Sequence, residues 1–347
     1  MFHANDEATY DWKSYAKIGG AIVLMIVILV AMFSSSAKPS APQTLSTMQV
    51  ALGGAAGAVG VQPGVPGAAV PADLPAWWLL LFTGFAIGCY GTIVGIGGGP
   101  IILPLLVFFY GWENELLVAT SLFIVFLNAS SGCAGYAMQK RIDYKGGLKF
   151  TLAAMPGALI SSFTHHLINL SFFNIIFGIF LIFLSIYTIM SIGRLDKSAA
   201  QEKTLLKEAK AKGFRRVRFM DAFGIKYDYY SNDKMGVALN LALGFFCGFL
   251  GIGGGVFQVP ILIFLLRYPS HIATATSHFV TLLTCAIALM PHVFLGNICY
   301  AEALWMGVGV IVGAQVGARI APKLNTKVTL YLFVVILVVL AVKLFLV

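Results

Sequence analysis

The sequence predicts an all-α polytopic membrane protein. It is built from two inverted structural repeats, each a glycine-tipped helical hairpin plus three transmembrane helices, behind an extra N-terminal transmembrane helix. Composition, an internal repeat and the placement of positive charge carry that expectation. The 347 residues are 59% hydrophobic and 11% charged, against about 25% charged in an average soluble domain. Several apolar runs exceed the roughly 18 residues that mark a transmembrane helix, more apolar surface than a soluble core can hide. The net charge of +9 is therefore no sign of nucleic-acid binding; most of the excess lies in one loop.

The repeat is ungapped. Gly95-Ile96-Gly97-Gly98-Gly99 recurs 156 residues later as Gly251-Ile252-Gly253-Gly254-Gly255. The same shift lays Gly88 on Gly244, Pro104 on Pro260, Ala119-Thr120-Ser121 on Ala275-Thr276-Ser277 and Gly157-Ala158 on Gly313-Ala314. A duplicated membrane half broken by glycines is the sequence pointer to a transporter's binding site.

In chain order, residues 1–36 form a membrane anchor or signal-like helix, whose apolar run 18–33 follows Lys13 and Lys17. The run is long for a signal peptide and Ser35-Ser36-Ala37 is a mediocre cleavage site, which favours an uncleaved anchor. Residues 37–75, rich in Gly, Ala and Pro, read as a flexible linker. The repeats occupy 76–192 and 235–347. Between them, 193–234 carries 11 Lys/Arg against 6 Asp/Glu. Such a loop stays on the cytoplasmic side and reads as a solvated connector, helical over 199–212.

Lengths and charges set the expected topology. Between Lys234 and Arg267 stand 32 uncharged residues. One straight helix of that length would measure about 48 Å against a hydrocarbon core of about 30 Å, and two full spans need about 40 residues. A helix-in, turn, helix-out hairpin fits, with its glycine tip near the bilayer midplane; segment 77–110 has a similar length and the same break. Each repeat then adds three full spans, at 116–138, 147–166 and 171–192 and at 271–294, 302–319 and 329–347. That odd count inverts the second copy. It gathers Lys13, Lys17, Lys140, Arg141, Lys145, the basic loop, Arg267, Arg319, Lys323 and Lys327 on one face. Simple crossings would move the last four outside, against the positive-inside rule. The expected location is the inner cell membrane, multi-pass, with the N-terminus and the basic loop in the cytoplasm.

Non-helical backbone at membrane depth survives only when buried in protein or lining a polar cavity. Gly97, Gly98, Gly99 and Gly253, Gly254, Gly255 permit left-handed backbone and leave room for a ligand. Pro100 suits the first position of a helix, where its missing N–H is not needed. A helix leaving each tip aims free N–H groups and its positive dipole end at the membrane centre. Two tips brought together make an anion cradle; close helix packing is the competing use of the same glycines. Secondary candidates are Thr120, Ser121, Thr276 and Ser277, which cap helices or donate to a ligand. Asn128, with its repeat partner Thr284, lies about two turns deeper. Gln258 follows the second tip, and His278 stands where the first repeat has Leu122, as an anion ligand, a proton carrier or a neutral core histidine.

These residues bring a family into view. The duplicated Gly-Ile-Gly-Gly-Gly segment, the following Pro104 or Pro260 and the Ala-Thr-Ser of the next helix resemble the TauE/SafE sulfite exporter family across both repeats. The resemblance implies a polytopic permease for sulfite, sulfoacetate or related organosulfonates, with both glycine tips and both Thr-Ser pairs in the transport region. The N-terminal segment, linker and basic loop depart from the simplest family pattern.

The expected function is secondary transport of a small anion, in the export direction, by alternating access around the paired tips. The expected partners are that anion and the lipid bilayer, with no nucleic acid; protein partners stay open. An anion channel, or a membrane receptor docking partners through the basic loop, is the alternative. No enzyme, cofactor or metal is expected: the five cysteines show no CxxC spacing and no intramembrane acidic pair appears. Ser130-Ser131-Gly132 with distant His292 only loosely resembles a hydrolytic Ser–His dyad.

Overall fold

The computed structural model describes residues 77–110, 114–162, 213–249 and 251–324, with scattered positions, all helical, within 178–192 and 327–342. The anchor 1–36, the linker 37–75 and the stretch 199–212 lie outside the described residues, as do nearly half of the span 171–192 and most of the span 329–347. Two helices precede the first long pair: α1 (Trp77–Val94) and α2 (Gly99–Tyr110), then α3 (Asn114–Met138) and α4 (Tyr144–Ser162). Strands β1 (Arg215–Met220) and β2 (Lys226–Ser231) follow. The second half comprises α5 (Asp233–Phe249), α6 (Gly255–Pro260), α7 (Ser270–Leu295) and α8 (Tyr300–Ile320). Trp77–Val94, Glu115–Met138, Ser270–Leu295 and Tyr300–Lys323 are each long and apolar enough to cross a membrane. The protein is a polytopic, mostly helical membrane protein.

Every helix of the second half starts 156 residues after its counterpart: 77 and 233, 99 and 255, 114 and 270, 144 and 300. Packing obeys the same shift, with partners exchanged. Gly88 of α1 lies against the backbone of Val310 on α8, and Gly244 of α5 against that of Ala154 on α4. No Cβ fits at either glycine, so small residues set the close approach.

The helices run between two distinct ends. At one, Asn297 donates to Glu115 (3.3 Å), joining the start of α3 to the end of α7. At the other, Gln139 just past α3 donates to the Ala318 carbonyl late in α8 (2.8 Å), and Tyr268 just before α7 donates to Asp143 just before α4 (2.9 Å). So α3 and α7 run in opposite directions, as do α4 and α8. Segment 233–268 leaves and returns at one end, because Arg215 bonds both Asp233 (2.8 Å) and Tyr268 (3.3 Å). Each glycine segment is a break between two helices, which excludes a straight span.

The basic loop departs from the expected solvated connector. Residues 215–231 of it form an antiparallel hairpin with Val217 opposite Tyr229 and Phe219 opposite Tyr227. Val217, Tyr227 and Tyr229 are buried, while Arg216, Arg218 and Asp228 point outward. Alternation of this kind makes a half-buried strand. Arg215 pins the hairpin to the helices through Asp143 and Asp233, and Arg141 through Asp221. The all-α expectation is corrected by this one small sheet.

Candidate functional site

The two largely buried glycine tips are the centre of the candidate site. At the first, the amides of Gly95, Ile96 and Gly97 all turn onto the Gly91 carbonyl (3.0, 2.9 and 3.3 Å), closing α1 abruptly. Gly95, Gly97 and Gly98 have φ of 89, 71 and 80°, and Gly251, Gly253 and Gly254 have 63, 71 and 89°. These values favour glycine strongly. α2 begins at Gly99 with Pro100 second, where the missing N–H costs nothing. Beyond the second tip, Pro260 disturbs the i→i−4 ladder and the helix continues as a π-helical turn, Ile261–Leu265.

The tips meet each other. A Cβ on Gly99 would run into the backbone of Ile252, and one on Gly255 into that of Ile96. Ser121 donates to the Gly251 carbonyl (2.9 Å) and Ser277 to the Gly95 carbonyl (2.8 Å), each serine bracing the other repeat's tip. Thr120 and Thr276 do a different job. Their hydroxyls accept the amides of Cys299 and Asp143 (3.1 Å each), fixing the starts of α8 and α4. The Ala-Thr-Ser motif is thus a crossed clasp: its threonine holds the partner repeat's fourth helix and its serine the partner's tip.

Four buried polar atoms around this centre have no hydrogen-bond partner: Asn128 Nδ2, Gln258 Nε2, His278 Nε2 and Thr281 Oγ1. Asn128 Oδ1 accepts from Thr92 (3.3 Å), which turns the amide nitrogen toward Gly91 and Gly98. Thr281 borders both tips through its methyl, which faces Gly97 and Gly253. His278 takes an Nδ1 contact of 3.3 Å to the Thr274 carbonyl, and its Nε2 side faces Gly132 of α3. Its ring stands edge-on to Tyr136, 5.4 Å between centroids. Gln258 is buried one turn beyond Gly254. Thr284, by contrast, is spent on the Val280 carbonyl of its own helix (2.8 Å).

The structure therefore brings Gly97, Gly98, Gly99, Gly253, Gly254, Gly255, Ser121, Ser277 and Asn128 to the meeting of the tips. Thr120 and Thr276 are set apart from it by their bonds to helix starts, and His278 lies one helix face away beside Asn128's helix. Sequence reasoning misses Thr281, although it stands one turn beyond Ser277 and so on the same face. It also misses Thr92 and Tyr136, whose hydroxyl donates to the Thr92 carbonyl (2.7 Å). No cluster of metal-ligating side chains occurs among the described residues. Ser131 donates to the Ile311 carbonyl (2.7 Å) and accepts from Gln315 (3.0 Å) rather than engaging an imidazole, which leaves the Ser–His resemblance without its dyad.

The sulfite exporter TauE/SafE family matches the chain over residues 11–140 and 79–344. A protein of Bacillus subtilis (strain 168) named "Probable membrane transporter protein YunE" is 29% identical over 248 residues, 68% of this chain and 85% of that protein. A protein of Methanocaldococcus jannaschii, also named a probable membrane transporter, is 28% identical over 248 residues, 67% of this chain and 82% of its own length. No solved structure matches the chain. With the family match spanning both glycine tips and most of the sequence, the chain belongs to the sulfite exporter TauE/SafE family of membrane transporters.

Proposed function

We propose that the protein is a secondary transporter exporting a small anion, sulfite or an organosulfonate such as sulfoacetate, by alternating access around the two glycine tips. One observation carries this reading: the Asn128 Nδ2 donor is buried without an acceptor beside the first tip, and the Thr281 hydroxyl is buried without a partner on the side chain whose methyl borders both tips. An unsatisfied buried donor costs about 1–3 kcal/mol, a penalty that a bound acceptor removes. An oxyanion offers several acceptors at once, and the N-terminus of the twelve-residue α2 favours negative charge beside them.

The opposed directions of equivalent helices support an inverted-repeat transporter in which each half closes in turn. The gathering of Arg141, Arg215 and Arg267 toward the hairpin end supports a cytoplasmic hairpin face. An inside-negative potential drives anion efflux from that face at about 2.3 kcal/mol per charge per 100 mV, so export needs no coupling cation. Purified protein in liposomes loaded with sulfite, sulfoacetate, sulfate or chloride tests the reading. Saturable efflux of the sulfur anions is expected, and no saturable flux of any of them would sink it.

A further inference from the structure

Beyond the tips, a buried ionic pair joins the end of α3 to the hairpin turn. Arg141, just past α3, is 2% exposed. Its Nε and Nη2 both donate to one oxygen, Asp221 Oδ2 (3.0 and 2.8 Å), at the hairpin turn. Asp221 Oδ1 is occupied by the amides of Phe223 and Ile225 (2.9 Å each). Arg141 also lines a narrow pocket, with Ile93, Tyr136, Ser270, His271 and Thr274 among its neighbours. Tyr136 borders this pocket and packs edge-on against His278. Tyr136, Gly132 and Asn128 follow one face of α3 at four-residue intervals, so the pocket lies about 12 Å from the tip donor. Between them sits His278 Nε2, buried and without a partner.

The repeat shift makes the meaning sharper. Arg141 corresponds to Asn297, Tyr136 to His292 and His271 to Glu115. The far end therefore puts a neutral amide bound to a carboxylate where the hairpin end puts a guanidinium. A buried ion pair adds little net stability over an apolar pair of similar size, so holding the hairpin down does not by itself require a charge at this position. A guanidinium presents forked donors suited to an oxyanion.

Resting on the transport reading above, we infer that the Arg141 pocket is the entrance site for the anion on the hairpin face. There Arg141 draws a small oxyanion toward His278 and Asn128, and the Asp221 carboxylate is its built-in competitor. The hairpin is then a working part of the transporter, because it carries the carboxylate that an arriving anion displaces. Sulfite efflux from liposomes, measured against concentration, tests this together with the thermal midpoint of each variant in detergent. Arg141→Gln should raise KM at least tenfold with maximal rate within threefold, and Arg141→Lys should recover most of that affinity. Asp221→Asn should lower KM severalfold, the opposite sign. The apolar double variant Arg141→Leu/Asp221→Leu should keep its fold and retain the high KM of Arg141→Gln. An unmoved KM in Arg141→Gln or in the double variant, or matching losses of folded protein and rate in Arg141→Gln and Asp221→Asn, would overturn the inference. So would loss of the double variant from the membrane, which would make the pair a structural necessity. Absence of flux in the wild-type protein would instead remove the transport reading itself.

Discussion

The two repeats share one backbone and differ in the side chains hung on it. The contact between the first helix of one repeat and the fourth of the other shows this well. At the hairpin end it is an ion pair, Asp233 with Lys149 (2.7 Å). Shifted by 156, the same contact is Trp77 against Trp305, with centroids 5.4 Å apart. The site differs in the same way: Gln258, His278 and Thr281 stand where the first repeat has Ile102, Leu122 and Val125, and Asn128 stands where the second has Thr284. Duplication thus accounts for the frame, and divergence within the frame for which positions are polar. Changes to the frame should hurt equally in both halves; changes to the divergent positions should not.

The largest effect belongs to the frame. Gly98→Val and Gly254→Val each force a β-branched residue into left-handed backbone, which costs on the order of 1–3 kcal/mol even before clashes. At Gly98 a Cβ would also come within 2.9 Å of Ile87 and 3.4 Å of the Asn128 amide. Both variants should lose at least 95% of sulfite efflux while still reaching the membrane, and the two losses should match. Loss in only one variant would show that the tips do not act as a pair.

A smaller effect separates the halves. Asn128→Ala removes a donor aimed at the first tip, whereas Thr284→Ala removes a hydroxyl already bonded to its own helix. A hydrogen bond to a charged group contributes about 1.5–3 kcal/mol, so Asn128→Ala should raise KM for sulfite roughly ten- to hundredfold. Thr284→Ala should leave KM within twofold. Equal effects would mean that the repeat positions still share one role and that the site is symmetric.

How much of this is legible beforehand follows from which signals are local. The glycine breaks, the helix starts and the separation of charge are readable because they depend on spacing and on lengths compared with a bilayer. The exchange of Ser121 and Ser277 between tips is not, since a hydroxyl at a helix start looks the same whether it caps its own helix or reaches across. Thr120 and Thr276 illustrate the same limit with the opposite outcome. The β-hairpin escapes because the alternation of Val217, Phe219, Tyr227 and Tyr229 is interrupted by the charges that dominate the loop. Its anchors, Asp143 and Asp233, lie 72 and 18 residues from Arg215.

The smallest effect tests the two versions of the helix contact against each other. Burial opposes ionisation of Asp233, but hydrogen bonds from Lys149 and Arg215 outweigh it and hold the carboxyl below its ordinary value. A carboxylate depressed in the folded state contributes stability that is present above its unfolded value, near 3.9, and is lost as pH falls through the folded one. Lys149 is half exposed, so solvent screening limits the contribution to about 1 kcal/mol or less, a few degrees in thermal midpoint at most. Asp233→Asn should therefore lower the midpoint slightly at pH 7 and by less at pH 3, and 1 M salt should shrink the difference. Trp77→Leu, which weakens the equivalent contact at the far end, should lower the midpoint by the same amount at both pH values and in either salt. A pH-dependent Trp77 variant, or an Asp233 variant indifferent to pH, would show that the ends are not held by the different forces their side chains imply.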